Sequence, residues 1–199
     1  MPNTDTHKRH LVLASTSIFR RNLLLRLGLP FSVRSPEVDE TRLAGEDAPT
    51  LVARLAELKA RSIAQHEPEA LIIGSDQVAV LADTILGKPN THEHAIKQLQ
   101  HASGQTVTFY TGLCLLDAAN GSCQVAVEPF DVVFRTLTTT QIERYLQREK
   151  PYNCAGSFKS EGLGIALFER LEGHDPTGLI GLPLIRLTQM LEIVGIAVL

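Results

Sequence analysis

Residues 11–30 read LVLASTSIFRRNLLLRLGLP, and the prediction of the fold begins there. The first four, Leu11–Ala14, are an uninterrupted apolar run, which predicts a buried strand. A helix is expected over roughly Phe19–Leu27, and it ends where Gly28 and Pro30 break the helical pattern. Hydroxyl residues fill the connection between the two elements. This part of the chain is therefore predicted to be a strand, a hydroxyl-rich turn and a helix.

The rest of the chain alternates strands with helices. Further strands are predicted at Phe31–Arg34, Leu71–Gly74, Thr106–Leu116 and Gln124–Phe134, and further helices from Asp47 to about Gln65, at His92–Gln100, from Thr138 or Thr140, and from about Leu182. Asn120–Gly121, between the two long strands, is a strong signal for a hairpin turn. Asn153–Gly181 is expected to be rich in loops. Because an antiparallel hairpin is inserted in an alternating pattern, we predict an α/β architecture with a mixed sheet, formed by residues 1–199 as a single domain.

The composition is that of an ordinary globular protein. At 199 residues, with 44% hydrophobic and 21% charged residues, the chain can bury a sizeable core without disulfides or structural metals. A formal charge of −3 gives no general attraction to nucleic acid, so any polyanion must be held by a local cluster of basic residues. The three cysteines have no C-x-x-C spacing, so neither a disulfide framework nor a structural zinc site is predicted.

The start of the chain, MPNTDTHKRH, is polar, and the apolar run after it is too short for the core of a signal peptide. No segment approaches the ~20 apolar residues of a membrane-spanning helix. We therefore expect a cytoplasmic protein that has neither a membrane nor a nucleic acid as its partner.

The first predicted helix carries arginines where they are electrostatically unfavourable. Arg20 and Arg21 fall in its first turn, where the positive end of the helix dipole costs a few tenths to about 1 kcal/mol for each cation. Ser15, Thr16 and Ser17 just before it offer hydroxyl groups and backbone N–H donors. This combination favours a phosphate-binding turn. The alternative is that Ser17 caps the helix and both arginines are solvated.

A lysine interrupts an apolar stripe on the second predicted helix. Lys59 shares one face of that helix with Val52, Ala56 and Ile63, since the four residues recur at helical intervals. A lysine in such a stripe loses hydration unless an anion meets it, which makes it a candidate to bind a negatively charged group. The alternative is a lysine at the edge of the stripe that extends its ammonium group into solvent.

Asp76 follows the apolar run Ala70–Ile73 and is predicted to lie at the carboxyl end of a buried strand. Ligands of α/β sheets bind beyond that end, and a carboxylate there can activate water or hold a divalent cation. The alternative is that Asp76 caps a turn before Gln77. Lys88, in the sequence GKP, lacks the spacing of a Walker phosphate loop. Four residues are nevertheless predicted to lie around Asp76, namely Ser15, Arg20, Lys59 and Lys88. This arrangement would suit a polyphosphate bound beside a water-activating carboxylate.

Six motifs of the chain occur in the order of a known family. They are LASTS at 13–17 with the two arginines after it, EVDE at 37–40, LAELKA at 55–60, GSDQ at 74–77, GKP at 87–89 and CAGSFKSEG at 154–162. Over roughly residues 10–192 the chain resembles the Maf family of nucleotide pyrophosphatases, and in particular its branch that hydrolyses 7-methyl-GTP. The resemblance implies an elongated α/β fold with a mixed sheet and a cleft between two lobes, related to the inosine triphosphatases. The family usually has proline where this chain has Ile18, a difference in the rigidity of the first helical turn rather than in its chemistry.

The resemblance also implies roles for individual residues. It makes Asp76 the general base that takes a proton from the attacking water. Residues associated with the substrate phosphates are Ser15, Arg20, Lys59 and Lys88. Glu40, with Asp39 beside it, matches an acidic pair that would help to hold the divalent cation (Mg, Mn or Co) that these enzymes use. Positions that set specificity are Phe19, Gln77 and Glu161. The substrate is a small nucleotide, and a homodimer is one candidate assembly.

The specificity positions favour a methylated guanine. The branch that acts on dTTP and UTP differs, with Arg at the position of Phe19 and Thr at that of Gln77. N7-methylguanine carries a delocalised positive charge, which the face of Phe19 can stack on for about 0.5–2 kcal/mol. Glu161 can accept hydrogen bonds from the N1 and N2 edge of the base. The alternatives are a pyrophosphatase for dTTP, UTP or another modified nucleotide, and a regulatory protein that binds nucleotides without turnover.

Overall fold

The computed structural model describes residues 9–199, and these are organised around one mixed sheet. Its strands are β1 (Leu11–Ala14), β2 (Phe31–Arg34), β3 (Leu71–Leu81), β4 (Thr84–Leu86), β5 (Thr106–Asp117), β6 (Cys123–Phe134) and β7 (Phe168–Gly173). The helices are α1 (Ile18–Leu25), α2 (Ala48–Ala64), α3 (His92–Ala102), α4 (Thr139–Glu149), α5 (Pro176–Ile180) and α6 (Leu184–Ile193), with 3-10 turns at Ala155–Ser157 and Leu163–Leu167. The predicted absence of a signal peptide concerns the start of the chain, most of which lies outside the described residues.

The sheet combines a parallel part with an antiparallel part. Its strands are ordered β2-β1-β3-β5-β6-β7, and β4 pairs with β3 beside this row. β1 is parallel to β2 and to β3, and every other pairing is antiparallel. The parallel strands are connected through α1 and α2, because parallel neighbours need a crossover rather than a hairpin. The predicted α/β architecture with a mixed sheet is confirmed.

Most predicted boundaries are confirmed, because they depend on local capping and turn chemistry. Ser17, Asp47 and Thr138 cap α1, α2 and α4, each accepting a hydrogen bond from a backbone N–H in the first turn. Thr138 also forms a capping box with Gln141. Gly121 takes the positive φ of 76° that the turn between β5 and β6 requires.

The strand β3 is longer than predicted. The prediction ended it at Gly74, but it continues to Leu81 because it pairs with β5 along its whole length. This long-range pairing overrides the local turn signal. Asp76 therefore lies inside a strand and not at its carboxyl end, which corrects the prediction. Asp76 does lie just beyond the end of the parallel neighbour, because β1 stops where Ala14 pairs with Gly74.

The region predicted as loops contains one strand and one short helix that the prediction missed. β7 has the sequence FERLEG, in which only Phe168 is buried. As an edge strand with charged side chains, it lacks the apolar run that would have predicted it. β4 was also missed, and it has only three residues. The last helix begins at Leu184, close to the predicted Leu182.

The buried side chains form two cores, one on both faces of the parallel part of the sheet and one in its antiparallel part. The parallel part packs against α1 and α6 on one face and against α2 on the other. The antiparallel part packs against α3 and α4 and contains four edge-to-face aromatic side chains, namely Phe109, Phe134, Phe158 and Phe168. These two cores correspond to the two lobes that the resemblance implied. Within residues 9–199, no helix is both long and apolar enough to cross a membrane.

Helix α2 lies unusually close to the sheet. A Cβ atom at Gly74 would be 2.0 Å from the carbonyl oxygen of Ala56, and one at Gly112 would be 2.1 Å from that of Val52. Only glycine allows such an approach of the helix backbone to β3 and β5. Since Gly112 is the register partner of Asp76, this packing brings one face of α2 against the middle of β3.

Candidate active site

A cleft of about 650 Å³ lies between the two cores. It is bounded by the β1–α1 turn, one face of α2, the middle of β3, the loop after β4 and the segment 153–161. The cleft brings together nine of the ten predicted site residues, which are Ser15, Phe19, Arg20, Glu40, Lys59, Asp76, Gln77, Lys88 and Glu161. The tenth, Asp39, does not line it.

Successive side chains of β3 point to opposite faces of the sheet, so they contact α2 on one face and α5 on the other. Gly74 and Asp76 face α2, where Asp76 meets Lys59. Ser75 and Gln77 face the other side, where both bond to the end of α5 and the residue after it. Because successive side chains of a strand point to opposite faces, the motif GSDQ supplies contacts to both sides of the sheet.

Lys59 is a buried lysine held between two carboxylates. Its ammonium nitrogen Nζ is 2.6 Å from Oδ1 of Asp76 and 2.7 Å from Oε1 of Glu40. The side chain of Lys59 is 7% exposed and that of Asp76 11%, whereas that of Glu40 is 59% exposed. The predicted apolar stripe on α2 is confirmed, and Lys59 does not extend into solvent. The anions that meet it here are side-chain carboxylates.

Arg20 reaches the cleft from the first turn of α1. Its Nε donates to the carbonyl oxygen of Gly181 at 2.8 Å. Burial lowers the pKa of Arg20, and the nearby negative charges of Asp76 and Glu40 act in the opposite direction. The arginine is therefore a half-buried cation that lines the cleft near two carboxylates. Arg21, by contrast, is exposed and does not line the cleft.

The hydroxyl-rich turn has a structural role that the sequence left as an alternative. Ser17 caps α1 through a 3.4 Å hydrogen bond that its Oγ accepts from the N–H of Arg20. The Oγ of Ser15 accepts from the N–H of Ser17 at 3.1 Å. Capping does not exclude the phosphate-binding interpretation, because Ser15, Thr16 and Ser17 all line the cleft together with Arg20.

The remaining predicted residues approach the cleft from two loops, from α1 and from β3. Lys88 and Glu161 are exposed and lie on the loop after β4 and on the segment 153–161. Phe19, on α1, is half-buried. The amide nitrogen of Gln77 donates to Oγ1 of Thr111 at 2.8 Å and to the carbonyl oxygen of Gly178 at 2.7 Å.

Asp39 and Glu40 do not act as a pair. The Oδ1 of Asp39 accepts a 2.9 Å hydrogen bond from the N–H of Thr41, and hydrogen bonds from Thr41 lower the pKa of Asp39. Its side chain is used in this turn, outside the cleft, so the structure does not bring it to Lys59. Glu40 alone of the two reaches the lysine.

The carboxylates that face the cleft fit a cation shared with a substrate. Among residues 9–199 there is no group of three or more His, Cys, Asp or Glu side chains that could hold a metal ion. Asp76 and Glu40 both approach Lys59, so two carboxylates converge on one positively charged atom. Magnesium-like ions are commonly held by one or two carboxylates plus phosphate oxygens and water. The donor set therefore fits such an ion, provided that the substrate completes its coordination.

Several contacts of the site were not predicted. The hydroxyl of Ser75 donates to the carbonyl oxygen of Gly181 at 2.9 Å, and that of Thr111 donates to the carbonyl oxygen of Gly178 at 2.9 Å. These partners are 106 and 67 residues apart along the chain. No local pattern predicts such pairs, although a buried Ser beside Asp76 and a glycine before Leu-Pro are both unusual enough to be noticed.

Comparison with known proteins identifies the family. A family model described as Maf-like protein matches residues 10–194. A 7-methyl-GTP pyrophosphatase of Nitrosococcus oceani is 62% identical over 189 residues, which cover 95% of each chain. Proteins of the same name are 55% identical in Pseudoalteromonas translucida (96% of this chain, 95% of the relative) and 59% identical in Pseudomonas fluorescens (94% and 97%). The chain therefore belongs to the Maf family.

Proposed function

We propose that this chain hydrolyses N7-methyl-GTP between its α and β phosphates and releases N7-methyl-GMP and pyrophosphate. Relatives that cover nearly the whole chain carry the name 7-methyl-GTP pyrophosphatase. The single observation that carries the chemistry is the buried pair of Lys59 and Asp76, 2.6 Å apart, in a cleft that also contains Arg20. A carboxylate beside cationic groups is what the hydrolysis of a phosphoanhydride requires.

Asp76 is the general base in the proposed mechanism. It takes a proton from a water molecule whose oxygen attacks the α phosphorus. The bond from the α phosphorus to the bridging oxygen breaks, and pyrophosphate leaves with the bonding electrons. The ammonium nitrogen of Lys59 lies 2.6 Å from Oδ1 of Asp76, so the carboxylate is held in place beside a cation.

Cationic side chains stabilise the charge that develops during this step. The transition state spreads negative charge over the phosphoryl oxygens, which Arg20, Lys59 and Lys88 neutralise from three separate segments. Ser15 adds a hydroxyl group at the β1–α1 turn. A divalent cation (Mg, Mn or Co) would add charge neutralisation when bound, and Asp76 and Glu40 are the residues that would hold it.

Other residues that line the cleft recognise the base in this proposal. The face of Phe19 stacks on the cationic ring of N7-methylguanine, and no arginine is present at that position to repel it. Glu161 accepts hydrogen bonds from the N1 and N2 edge of the base, and its negative charge favours the methylated form. Gln77 contributes to selectivity from β3.

A panel of triphosphates tests the proposal. Purified protein is incubated with 7-methyl-GTP, GTP, dTTP or UTP in the presence of Mg, Mn or Co, and the released pyrophosphate is measured. Reaction in ¹⁸O-labelled water reports the attacked phosphorus, because attack at the α position places the label in the monophosphate. We expect 7-methyl-GTP to have the highest kcat/KM and the label to appear in 7-methyl-GMP.

Other results would select an alternative function. Higher kcat/KM on dTTP or UTP would make the chain a pyrophosphatase of the same chemistry with a different substrate. Tight nucleotide binding without pyrophosphate release would make it a regulatory protein. Label in pyrophosphate would contradict the proposed direction of attack.

We also propose that the protein acts in the cytoplasm on a small nucleotide and does not bind nucleic acid. The net charge of −3 supports the second part of this proposal, because it gives no general attraction to a polyanion. Cell fractionation tests the location, and a mobility assay with DNA and RNA tests the nucleic-acid prediction. Light scattering of the purified protein separates a homodimer from a monomer.

A further inference from the structure

The short helix α5 ends at backbone oxygens that bond to side chains of the cleft. The carbonyl oxygen of Gly181 accepts from Nε of Arg20 at 2.8 Å and from Oγ of Ser75 at 2.9 Å. The carbonyl oxygen of Gly178 accepts from Nε2 of Gln77 at 2.7 Å and from Oγ1 of Thr111 at 2.9 Å. Carbonyls at the carboxyl end of a helix are available for such bonds because no further turn uses them fully.

Gly181 has a backbone conformation that suits glycine alone. Its φ is 121°, which side chains rarely adopt, and a Cβ atom there would lie 3.4 Å from Nε of Arg20. Within residues 9–199, Nε is the side-chain atom of Arg20 that bonds to the protein. The hydrogen bond to the carbonyl of Gly181 therefore fixes the guanidinium group at its Nε. The two terminal amino groups are left to bind a ligand.

Thr111 fixes the orientation of the Gln77 amide in a similar way. The Nε2 of Gln77 donates to Oγ1 of Thr111 at 2.8 Å, and the hydroxyl of Thr111 donates to the carbonyl oxygen of Gly178. Leu179 contributes a further acceptor at 3.2 Å. Since every neighbour of the nitrogen is an acceptor, the amide has one orientation, and its Oε1 is left to accept from a ligand in the cleft.

We propose that the carboxyl end of α5 positions both ends of the substrate site, with Gly181 acting through Arg20 at the phosphates and Thr111 acting through Gln77 at the base. Gly181 and Thr111 are positioning residues, since neither needs to touch the substrate. The proposal rests on the proposed function. It predicts two different kinetic effects. A change that acts through Arg20 should lower kcat/KM equally for every triphosphate, because all of them share the phosphates. A change that acts through Gln77 should alter the preference among triphosphates, because they differ in the base.

The first arm of the test uses Gly181→Ala. We expect kcat/KM to fall about 10- to 100-fold, by the same factor for 7-methyl-GTP, GTP and UTP, because a hydrogen bond to a charged group is disturbed. Gly195→Ala is the matched control, since Gly195 also has a positive φ (82°) but a Cβ atom there would meet nothing within 4 Å. It should leave kcat/KM unchanged.

A double-mutant cycle shows whether Gly181 acts through the arginine. In the background of Arg20→Met, adding Gly181→Ala should lower kcat/KM no further. A full additional loss in that background would overturn the first arm. If Gly181→Ala does not fold, Ser75→Ala removes the other donor to the same carbonyl. Ser75→Ala should then give a smaller loss of kcat/KM, and this loss should disappear in the Arg20→Met background. If the loss persists in that background, Gly181 does not act through Arg20.

The second arm uses Thr111→Val, which keeps the shape of the side chain and removes the hydroxyl. We expect the ratio of kcat/KM for 7-methyl-GTP over UTP to fall about 2- to 10-fold. Thr111→Ser retains the hydroxyl and should restore the wild-type ratio. An equal loss on both substrates, or no rescue by serine, would show that Thr111 has only a structural role and would overturn the second arm.

Two measurements do not depend on turnover and separate this proposal from the proposed function. In the ¹⁵N spectrum the Nε–H of Arg20 should exchange slowly with solvent in the wild type and quickly in Gly181→Ala. Calorimetry with inorganic pyrophosphate should show weaker binding in Gly181→Ala and unchanged binding in Gly195→Ala. Inactivity of the wild-type protein on every triphosphate would contradict the proposed function alone, whereas unchanged exchange and unchanged pyrophosphate binding would contradict the positioning role.

Discussion

The two walls of the cleft differ in construction. The strand wall consists of the β1–α1 turn, α2 and β3, and its residues Ser15, Lys59 and Asp76 are buried. The loop wall consists of the loop after β4 and the segment 153–161, and its residues Lys88 and Glu161 are exposed. In the proposed mechanism the residues next to the reacting phosphorus, Lys59 and Asp76, lie on a helix and a strand. Lys88 and Glu161 reach the substrate from loops, which can vary without disturbing the sheet.

The largest effect is expected at the strand wall, from Asp76→Asn. The amide has nearly the same shape but cannot accept the proton of the attacking water, so kcat should fall about 10²- to 10⁴-fold. Binding of 7-methyl-GTP, measured by calorimetry, should persist. A variant that retains much of its kcat would contradict the assignment of Asp76 as the base.

Lys59→Met should have the next largest effect. It removes the charge between Asp76 and Glu40 while keeping a long apolar side chain in the stripe of α2, and we expect kcat/KM to fall about 10²- to 10³-fold. Lys97→Met is the matched control, because Lys97 lies on α3 and does not line the cleft. It should leave kcat/KM unchanged. Equal activity of the two variants would remove Lys59 from the mechanism.

A glycine-to-alanine substitution in each wall compares how tightly the two walls are packed. Gly74→Ala inserts a methyl group against the backbone of α2 and should lower the free energy of unfolding by about 1–3 kcal/mol or more. Gly87→Ala, in the loop wall, meets no atom within 4 Å and should leave the free energy of unfolding nearly unchanged. Urea denaturation measures both. Similar losses would show that the walls do not differ in rigidity.

A smaller effect on kcat/KM is expected from substitutions of Phe19, which stacks on the nucleotide base in the proposed function. Phe19→Ala should lower kcat/KM on 7-methyl-GTP more than on GTP, by an additional factor of about 2 to 30, because only the methylated base is cationic. Phe19→Leu keeps apolar bulk without the aromatic face and should lose the same selectivity. If both substrates slow by one common factor, stacking on a cation does not explain the preference.

The smallest effect concerns the loop that carries Glu40. Glu46 ties this loop to α2 through Arg54, and that hydrogen-bonded pair lowers the pKa of Glu46 from 4.5 to about 2. A lowered pKa in the folded state gives stability that is present above pH 4.5 and is lost as the pH falls towards 2. The free energy of unfolding should therefore decline over this range. In Glu46→Gln the decline should be shallower, and an identical slope would contradict the role of this pair.

Local patterns predicted the strand wall better than the rest of the molecule. The unit β1–turn–α1 and the stripe on α2 depend on periodicity and capping within a few residues, so the sequence alone locates Arg20 and Lys59 correctly. The sequence predicted Lys59 near Asp76, but it did not predict the direct contacts of Lys59 with Asp76 and Glu40, which depend on how closely Gly74 lets α2 approach. Whether these residues act in catalysis stays a prediction until the variants are measured.

Features set by distant partners escaped prediction. The extension of β3 requires β5, and the bond from Arg20 to Gly181 joins residues 161 positions apart. Asp39 was predicted at the site with Glu40 because the two match an acidic pair of the family that the chain resembles. In the structure the side chain of Asp39 instead accepts a hydrogen bond from the N–H of Thr41.

The strand β3 has a mechanical consequence for the cleft. Its first residues, including Ile73, belong to one core, and Ala79 belongs to the other, so one uninterrupted strand passes through both lobes. Bending the lobes apart would break the hydrogen bonds of the ladder between β3 and β5. Within the described residues, this ladder therefore joins the two cores without interruption across the cleft. Under the proposed function, the exposed segments around Lys88 and Glu161 are the parts of the cleft wall that could let a nucleotide pass with the least disturbance of this ladder.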